Sequence, residues 1–180
     1  MKRQAKYLNM IYCFIALISG FIYFFRLSSN TKIYIKGILT SNPSQFNNIL
    51  FHLIIIISLF ILSLLLLGVI FNYIYVFFEF FTIGFSFASY FYIYHFNGLA
   101  FGFIYNIVTK LIYLILLYFL FTKYYKISKY NYLYVIKHEK VMNYWRPFIQ
   151  SFMIILLIIT NDIVITLFLN RIMDLFKFIL

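Results

Sequence analysis

The stretch that decides the fold is residues 49–94, ILFHLIIIISLFILSLLLLGVIFNYIYVFFEFFTIGFSFASYFYIY, a nearly unbroken apolar run. As a single α-helix it would extend about 69 Å at ~1.5 Å per residue. The hydrocarbon core of a membrane is only about 30 Å thick. The run must therefore fold back on itself, and we place the break at residues 68–73, with Asn72 at the bend. The predicted helices are then 49–71 and 74–94.

The composition of the whole chain points to the same class of protein. Of its 180 residues, 65% are hydrophobic, 24% are aromatic and 11% are charged. An ordinary soluble domain is roughly 45–50% apolar and about 25% charged, so a soluble fold of this size would expose large apolar patches. Disordered chains are poor in aromatic residues. We therefore predict an all-α, polytopic membrane protein that forms one integral membrane domain over residues 1–180.

Five membrane spans account for the apolar runs, because each crossing needs about 20 apolar residues. In chain order the predicted spans are 7–25, 49–71, 74–94, 99–121 and 148–169. The sequence HFNG at residues 95–98 predicts a turn between the third and fourth spans. Polar loops are expected at 26–48 and 123–147. In the first loop, Pro43 suggests the start of a short interfacial helix near residues 44–48.

The positive charge of the chain sets its predicted orientation. Lys and Arg number 15 against 4 Asp and Glu, a formal net charge of +11. More cations lie in the N-terminal segment and the 123–147 loop than in the 26–48 loop and the C-terminal tail, which places the N-terminus inside and the C-terminus outside. Because the cations lie between apolar runs, attraction to lipid headgroups explains them. The predicted partner is the lipid bilayer, and nucleic acid is not expected.

Three ionisable residues fall within predicted spans, where a charge costs at least ~2.5–3.5 kcal/mol. Counted from the inner edge of the membrane, Lys110 lies about 17 Å deep and Asp162 about 21 Å deep. Glu79 lies only ~8 Å from that edge, which lets it reach the inner interface. We therefore predict an intramembrane ion pair between Lys110 and Asp162. A static pair that fixes helix register and a proton or ion relay are both open.

Pairs of small residues four positions apart lie in three of the predicted spans, where they allow helix backbones to approach closely. The pairs are Ala16 and Gly20 in the first span, Gly84 and Ala88 in the third, and Gly98 and Gly102 in the fourth. Since the third and fourth spans are joined by a short turn, we predict close packing between them on these residues. Contact with a partner subunit is the alternative.

Sequence patterns that imitate catalytic motifs lack the required context. The sequence GFSFA at residues 84–88 resembles a nucleophile motif but lies within a predicted helix rather than at a strand–turn–helix. HEKVM at residues 138–142 begins like a zinc motif, but Met142 stands where the second His belongs. His52 and His95 are isolated near predicted outer boundaries and are expected to be interfacial side chains. No catalytic, cofactor-binding or metal site is predicted.

The arrangement of spans and loops resembles the stage II sporulation protein M family, in which one N-terminal span and an external segment precede four closely spaced spans. The basic loop before the last span and the short external tail are also similar. The local likeness is strongest at Gly84-Phe85, in the turn Phe96-Asn97-Gly98 and at Phe103. This chain departs from the family in two places. Asn97 stands in the turn where the family tends to have His, and residues 108–110 stand where it tends to have Pro and Asn.

The resemblance implies a non-enzymatic scaffold in a bacterial cytoplasmic membrane that gathers cell-wall hydrolases at the septum during engulfment in sporulation. Two other functions are open. A membrane subunit of a transporter or permease would need a polar cavity, for which Lys110, Asp162, Asn106 and Asn161 are the material. A small hydrophobic subunit of an energy-converting complex would also fit this composition.

Overall fold

A computed structural model gives the fold, and it describes residues 2–41, 49–65, 67–138 and 145–175. Within these ranges the chain is helical and carries no strand, which confirms the all-α prediction. The helices are α1 (Lys2–Arg26), α2 (Ser29–Ser41), α3 (Ile49–Leu64), α4 (Gly68–Asn106), α5 (Ile112–Val135) and α6 (Trp145–Leu175). A π-helical segment, Ile107–Leu111, joins α4 to α5. The expected helix near 44–48 and most of the motif at 138–142 lie outside the described residues.

The break in the long apolar run lies between α3 and α4, earlier in the chain than predicted. Helix α3 ends at Leu64 and α4 begins at Gly68. A side chain at Gly68 would collide with Ser63, so the connection depends on a residue without a Cβ. Asn72 is not at the bend but is buried inside α4. The predicted break at 68–73 was therefore wrong. The chain turns just before Gly68, where a side chain would collide with Ser63, and the polar residue Asn72 does not mark the turn.

Helix α4 folds back on itself at His95, the first residue of the predicted turn. The backbone of His95 has φ 53° and ψ −133°, which is not helical and divides α4 into a first arm (68–94) and a second arm (96–106). The rings of Tyr90 and Phe101 lie with their centroids 5.2 Å apart. In a continuous helix these two positions would be about 16 Å apart. The two arms therefore form an antiparallel helical hairpin.

Helix α1 packs along the first arm of α4 in the same direction. Toward the start of α1, the ring centroids of Tyr12 and Phe77 are 5.7 Å apart. Toward its end, the ring centroids of Phe24 and Tyr92 are also 5.7 Å apart. Because the contacts advance along both helices together, the two helices are parallel. Parallel packing requires the intervening chain to return to the starting end before α4 begins.

The predicted loop at 26–48 contains a helix, α2. The hydroxyl oxygen of Ser28 accepts a hydrogen bond from the backbone N–H of Thr31 at 3.3 Å, as an N-cap residue does. Ile35 and Leu39 are one helical turn apart and both are buried. The prediction of a loop was wrong for this part because the cations between the apolar residues obscured their helical spacing. Lys32, for example, donates to the carbonyl oxygen of Phe25 at 2.8 Å.

The predicted loop at 123–147 is also largely helical up to Val135, the last residue of α5. Tyr124 and Ile127 are fully buried in this part of the helix. The Tyr124 hydroxyl donates to the carbonyl oxygen of Ile56 on α3 at 3.0 Å. The dense Lys and Tyr content suggested a loop, but the buried residues recur at helical spacing and pack against α3. The loop prediction was therefore wrong for residues 123–135.

The described residues fall into two compact units, and the single membrane domain over residues 1–180 stays a prediction. The first unit draws on Met1–Phe46, Tyr75–Lys110 and Phe168–Leu180, and the second on Asn47–Ile74 and Leu111–Leu167. Each unit is therefore assembled from segments that are distant in the sequence. Helices α4 and α6 contribute to both units, so the division is not one between consecutive halves of the chain.

The distribution of polarity in the described residues is the reverse of that in a soluble protein. Leu50, Phe119 and Leu167 are more than half exposed, whereas Glu79 and Asp162 are 4% and 2% exposed. Three helical stretches are long and apolar enough to cross a membrane: Asn9–Arg26, Gly68–Val135 and Trp145–Leu169. Leu50–Leu64 is a shorter apolar helix. These properties are those of a helical membrane protein, in which lipid and not water covers the apolar faces.

Candidate functional site: two buried ion pairs

The first ion pair joins the first arm of α4 to the π-helical segment that follows its second arm. The Nζ atom of Lys110, on the π-helical segment, lies 2.7 Å from Oε2 of Glu79 on the first arm. The side chains of Lys110 and Glu79 are only 18% and 6% exposed. Either charge alone would be costly at a buried position, and the contact offsets that cost by pairing opposite charges at hydrogen-bond distance.

Glu79 lies further from the start of its helix than the predicted span at 74–94 implies, because α4 begins earlier in the chain. Its reach to the inner interface stays a prediction. Counted from Gly68, where α4 begins, Glu79 lies about 16 Å along the helix. This distance matches the ~17 Å between Lys110 and the predicted inner end of its span at residue 121. The two groups therefore lie at matching distances along their helices.

A second polar contact lies along the same hairpin. The side-chain amide nitrogen of Asn106 donates to the hydroxyl oxygen of Ser86 and to the carbonyl oxygen of Gly102, both at 2.8 Å. Ser86 also donates to the carbonyl oxygen of Ile83 at 2.8 Å. Ser86 thus holds Asn106 across the hairpin.

The π-helical segment lies directly after Asn106 and contains Lys110. Its wider turn changes the direction in which the following side chains leave the helix, and such segments occur often at functional sites. Thr109, in the same segment, is buried, and its hydroxyl donates to the carbonyl oxygen of Tyr105 at 2.8 Å. The irregular turn is therefore fixed by local hydrogen bonding next to the residue that forms the ion pair.

The second buried ion pair joins α3 to α6. The Nδ1 atom of His52 lies 3.0 Å from Oδ2 of Asp162, and their side chains are 14% and 3% exposed. The contact is at hydrogen-bond distance and joins two helices that are distant in the sequence. The His52 ring stacks on Tyr113 of α5 with centroids 5.0 Å apart. The expectation that His52 is an isolated interfacial side chain was therefore wrong.

The predicted pairing of Lys110 with Asp162 overlooked both of these partners. The two residues belong to different compact units, and their pairing with each other stays a prediction. Measured from the predicted start of its span at residue 74, Glu79 lies too shallow to match Lys110. A histidine near a helix boundary has an ordinary interfacial explanation, so the sequence gives no signal for the contact between His52 and Asp162.

The small residue Gly84 contacts α1 and not the following arm as predicted. A Cβ at Gly84 would collide with the carbonyl oxygen of Leu17, and a Cβ at Gly20 would collide with the carbonyl oxygen of Phe81. Ala88, one turn further along α4, is completely buried. The small residues of the first and third predicted spans therefore meet each other, and the partner predicted for Gly84 was wrong.

Gly98 and Gly102 face the first arm of their own hairpin. A Cβ at Gly98 would collide with the carbonyl oxygen of Tyr90. At Gly102 the space is larger, because a Cβ there would lie 3.4 Å from the ring of Phe87 and 3.4 Å from that of Tyr90. The tight reversal thus depends on Gly98 more strongly than on Gly102.

Within the part of the chain that the structure describes, no group of three or more His, Cys, Asp or Glu side chains is placed to hold a metal ion. Three buried polar atoms have no hydrogen-bond partner among the described residues: Oδ1 of Asn72, the hydroxyl oxygen of Tyr90 and Nδ2 of Asn161. Such atoms are uncommon in folded proteins. Such atoms would gain a hydrogen-bond partner if water or another polar solute reached them.

The class that this fold indicates is a helical membrane protein. No protein-family model, curated protein or solved structure matches the chain. The resemblance to the stage II sporulation protein M family therefore continues to rest on the residues quoted for it.

Proposed function

We propose that the chain is a non-enzymatic scaffold or interaction subunit embedded in a bacterial cytoplasmic membrane. The observation that carries this proposal is that each of the two compact units holds a contact between ionisable side chains of different helical segments. Glu79 lies against Lys110, and His52 lies against Asp162. Each contact links two helical segments at hydrogen-bond distance, and such a fixed link fits a structural role.

The proposed topology has five membrane crossings, with the N-terminus inside and the C-terminus outside. The crossings are α1, α3, the first arm of α4, the second arm continued into α5, and α6. The parallel packing of α1 and the first arm of α4 supports it, because α3 must then return the chain between them. The excess of Lys and Arg in the N-terminal segment and near the end of α5 supports the orientation.

The particular role that we propose is the one implied by the family resemblance, the gathering of cell-wall hydrolases at a septal membrane. The test is capture of the tagged protein from its native host in mild detergent. Recovery of a peptidoglycan hydrolase complex is the expected result, and recovery of an ATPase in its place would contradict it. The double variant Glu79→Met/Lys110→Met serves as a matched sample, because a scaffold that uses these charges only as a brace should retain its partners.

A transporter or permease subunit is the second candidate, and two observations favour it. The π-helical turn lies at Lys110, and Asn161 has a buried amide nitrogen without a partner among the described residues. Transport requires water to reach such groups. In a Cys13→Ser background, cysteines at Asn106 and Asn161 should stay unreactive toward a membrane-impermeant thiol reagent if the protein is a scaffold. A cysteine at the exposed Asn97 is the positive control.

Reactivity at Asn106 or Asn161 that is suppressed by an added solute would contradict the scaffold and support transport. Reactivity at Asn97 alone would support the scaffold. The labelling of each single-cysteine variant is divided by the amount of that variant recovered, so that differences in expression do not affect the comparison.

A further inference from the structure

The C-terminal part of α5 presents a basic and aromatic face. Lys126 and Lys129, three residues apart, are exposed, and Tyr125 and Tyr132 are exposed beside them. Tyr124, on the opposite face, is completely buried. The exposed face therefore combines cations with aromatic rings that have both an apolar and a polar part.

This face is held in place by contacts with α3. The Tyr124 hydroxyl donates to the carbonyl oxygen of Ile56 at 3.0 Å. Two turns further along, the side-chain amide of Asn131 donates to the carbonyl oxygen of Leu64 at 2.9 Å. Leu64 is the last residue of α3, so the second bond caps the end of an apolar helix. The exposed lysines are therefore fixed beside the point where an apolar helix ends.

The charge of this region is of one sign. The whole chain holds four acidic residues, Glu79, Glu139, Asp162 and Asp174. None of these falls among the described residues of α5 and the exposed stretch that follows it to residue 138. That stretch carries four lysines: Lys123, Lys126, Lys129 and Lys137. A surface of this charge is complementary to an anionic partner.

We propose that the exposed face around Lys126 and Lys129 is a binding surface for the headgroups of acidic phospholipids. Lysine ammonium groups at the end of a membrane helix bind lipid phosphates, and tyrosine rings favour the headgroup level. A lipid fits better than an acidic protein or a nucleic acid, because the face is continuous with apolar helices and carries tyrosines. The proposal rests on the membrane location proposed above.

The test measures binding of phosphatidylglycerol to the purified full-length protein in mild detergent by native mass spectrometry. The variant Lys126→Gln/Lys129→Gln should bind it about thirtyfold more weakly, since each lysine near an anionic surface contributes roughly a fivefold gain. The matched control is Arg26→Gln/Lys36→Gln, which removes two exposed cations elsewhere. Its binding should change less than threefold. Phosphatidylcholine should bind equally to all three proteins.

The proposal would be overturned if phosphatidylglycerol binding fell equally in the two double variants. It would also be overturned if binding fell in neither variant. Unchanged lipid binding together with loss of a protein or nucleic acid partner from the Lys126→Gln/Lys129→Gln variant would also overturn it. A protein that stays dispersed without detergent would contradict the membrane location. Failure of the lipid surface alone would leave incorporation into micelles intact, so the two failures are distinguishable.

Discussion

Replacing Glu79 with Met should destabilise the protein by about 3–5 kcal/mol, because the ammonium group of Lys110 would stay buried without its carboxylate. Lys110→Met should cost a similar amount for the converse reason. The double variant Glu79→Met/Lys110→Met should lie within ~1 kcal/mol of the original protein, since two apolar side chains need no charge compensation. Unfolding by SDS in mild detergent, followed by circular dichroism, measures the three free energies.

The double-mutant cycle separates two cases by the unfolding free energy of the double variant. If the losses of the two single variants simply added in the double variant, the pair would make no energetic contribution and the bracing account would be wrong. Lys126→Met is the matched control for loss of a lysine, because Lys126 is exposed and lies outside the hairpin. Its unfolding free energy should change by less than about 0.5 kcal/mol.

Adding one methyl group at Gly84 should have the second large effect. In Gly84→Ala the new Cβ would collide with the carbonyl oxygen of Leu17, which is part of the α1 backbone and cannot rotate away. The two helices must then move apart, at an expected cost of about 1–3 kcal/mol. Gly20→Ala should behave in the same way, because its Cβ would collide with the carbonyl oxygen of Phe81. Thermal unfolding in detergent provides the measurement.

Two other helical glycines, one on α2 and one on the second arm of α4, provide controls. A Cβ at Gly37 would have no atom within 4 Å, so Gly37→Ala should stabilise α2 by roughly 0.5–1 kcal/mol through helix propensity alone. Gly102→Ala, whose Cβ would lie 3.4 Å from two rings, should be nearly neutral. A destabilisation that was equal at Gly84, Gly102 and Gly37 would contradict the proposed close approach of α1 and α4.

The sequence predicted the class of the fold because composition and the length of the apolar runs are enough to assign it. A run as long as 49–94 cannot be one membrane helix, and the turn at His95 carries recognisable residues. The positions where prediction failed have local causes. The break before Gly68 depends on steric contact with Ser63, and the helical parts of both predicted loops depend on buried residues between lysines.

The sequence identified most of the residues of the candidate site but not their partners. Glu79, Lys110 and Asp162 stand out in any apolar sequence, because each is ionisable. The spacing of Gly84 and Gly20 showed that both could pack closely, yet spacing on one helix carries no information about which other helix it meets. Which residues pair depends on how the helices are arranged. The position of a residue along its helix limits the possible partners only when the first residue of the helix is known.

The central claim, five crossings with paired charges inside, is tested most directly by mapping which side of the membrane each segment faces. Single cysteines at Asn97 and Lys137, in a Cys13→Ser background, and tags at both termini would be probed in intact and permeabilised cells. We expect Asn97 and the C-terminus to react from outside, and Lys137 and the N-terminus to react only after permeabilisation. Finding both termini on the same side would contradict the account.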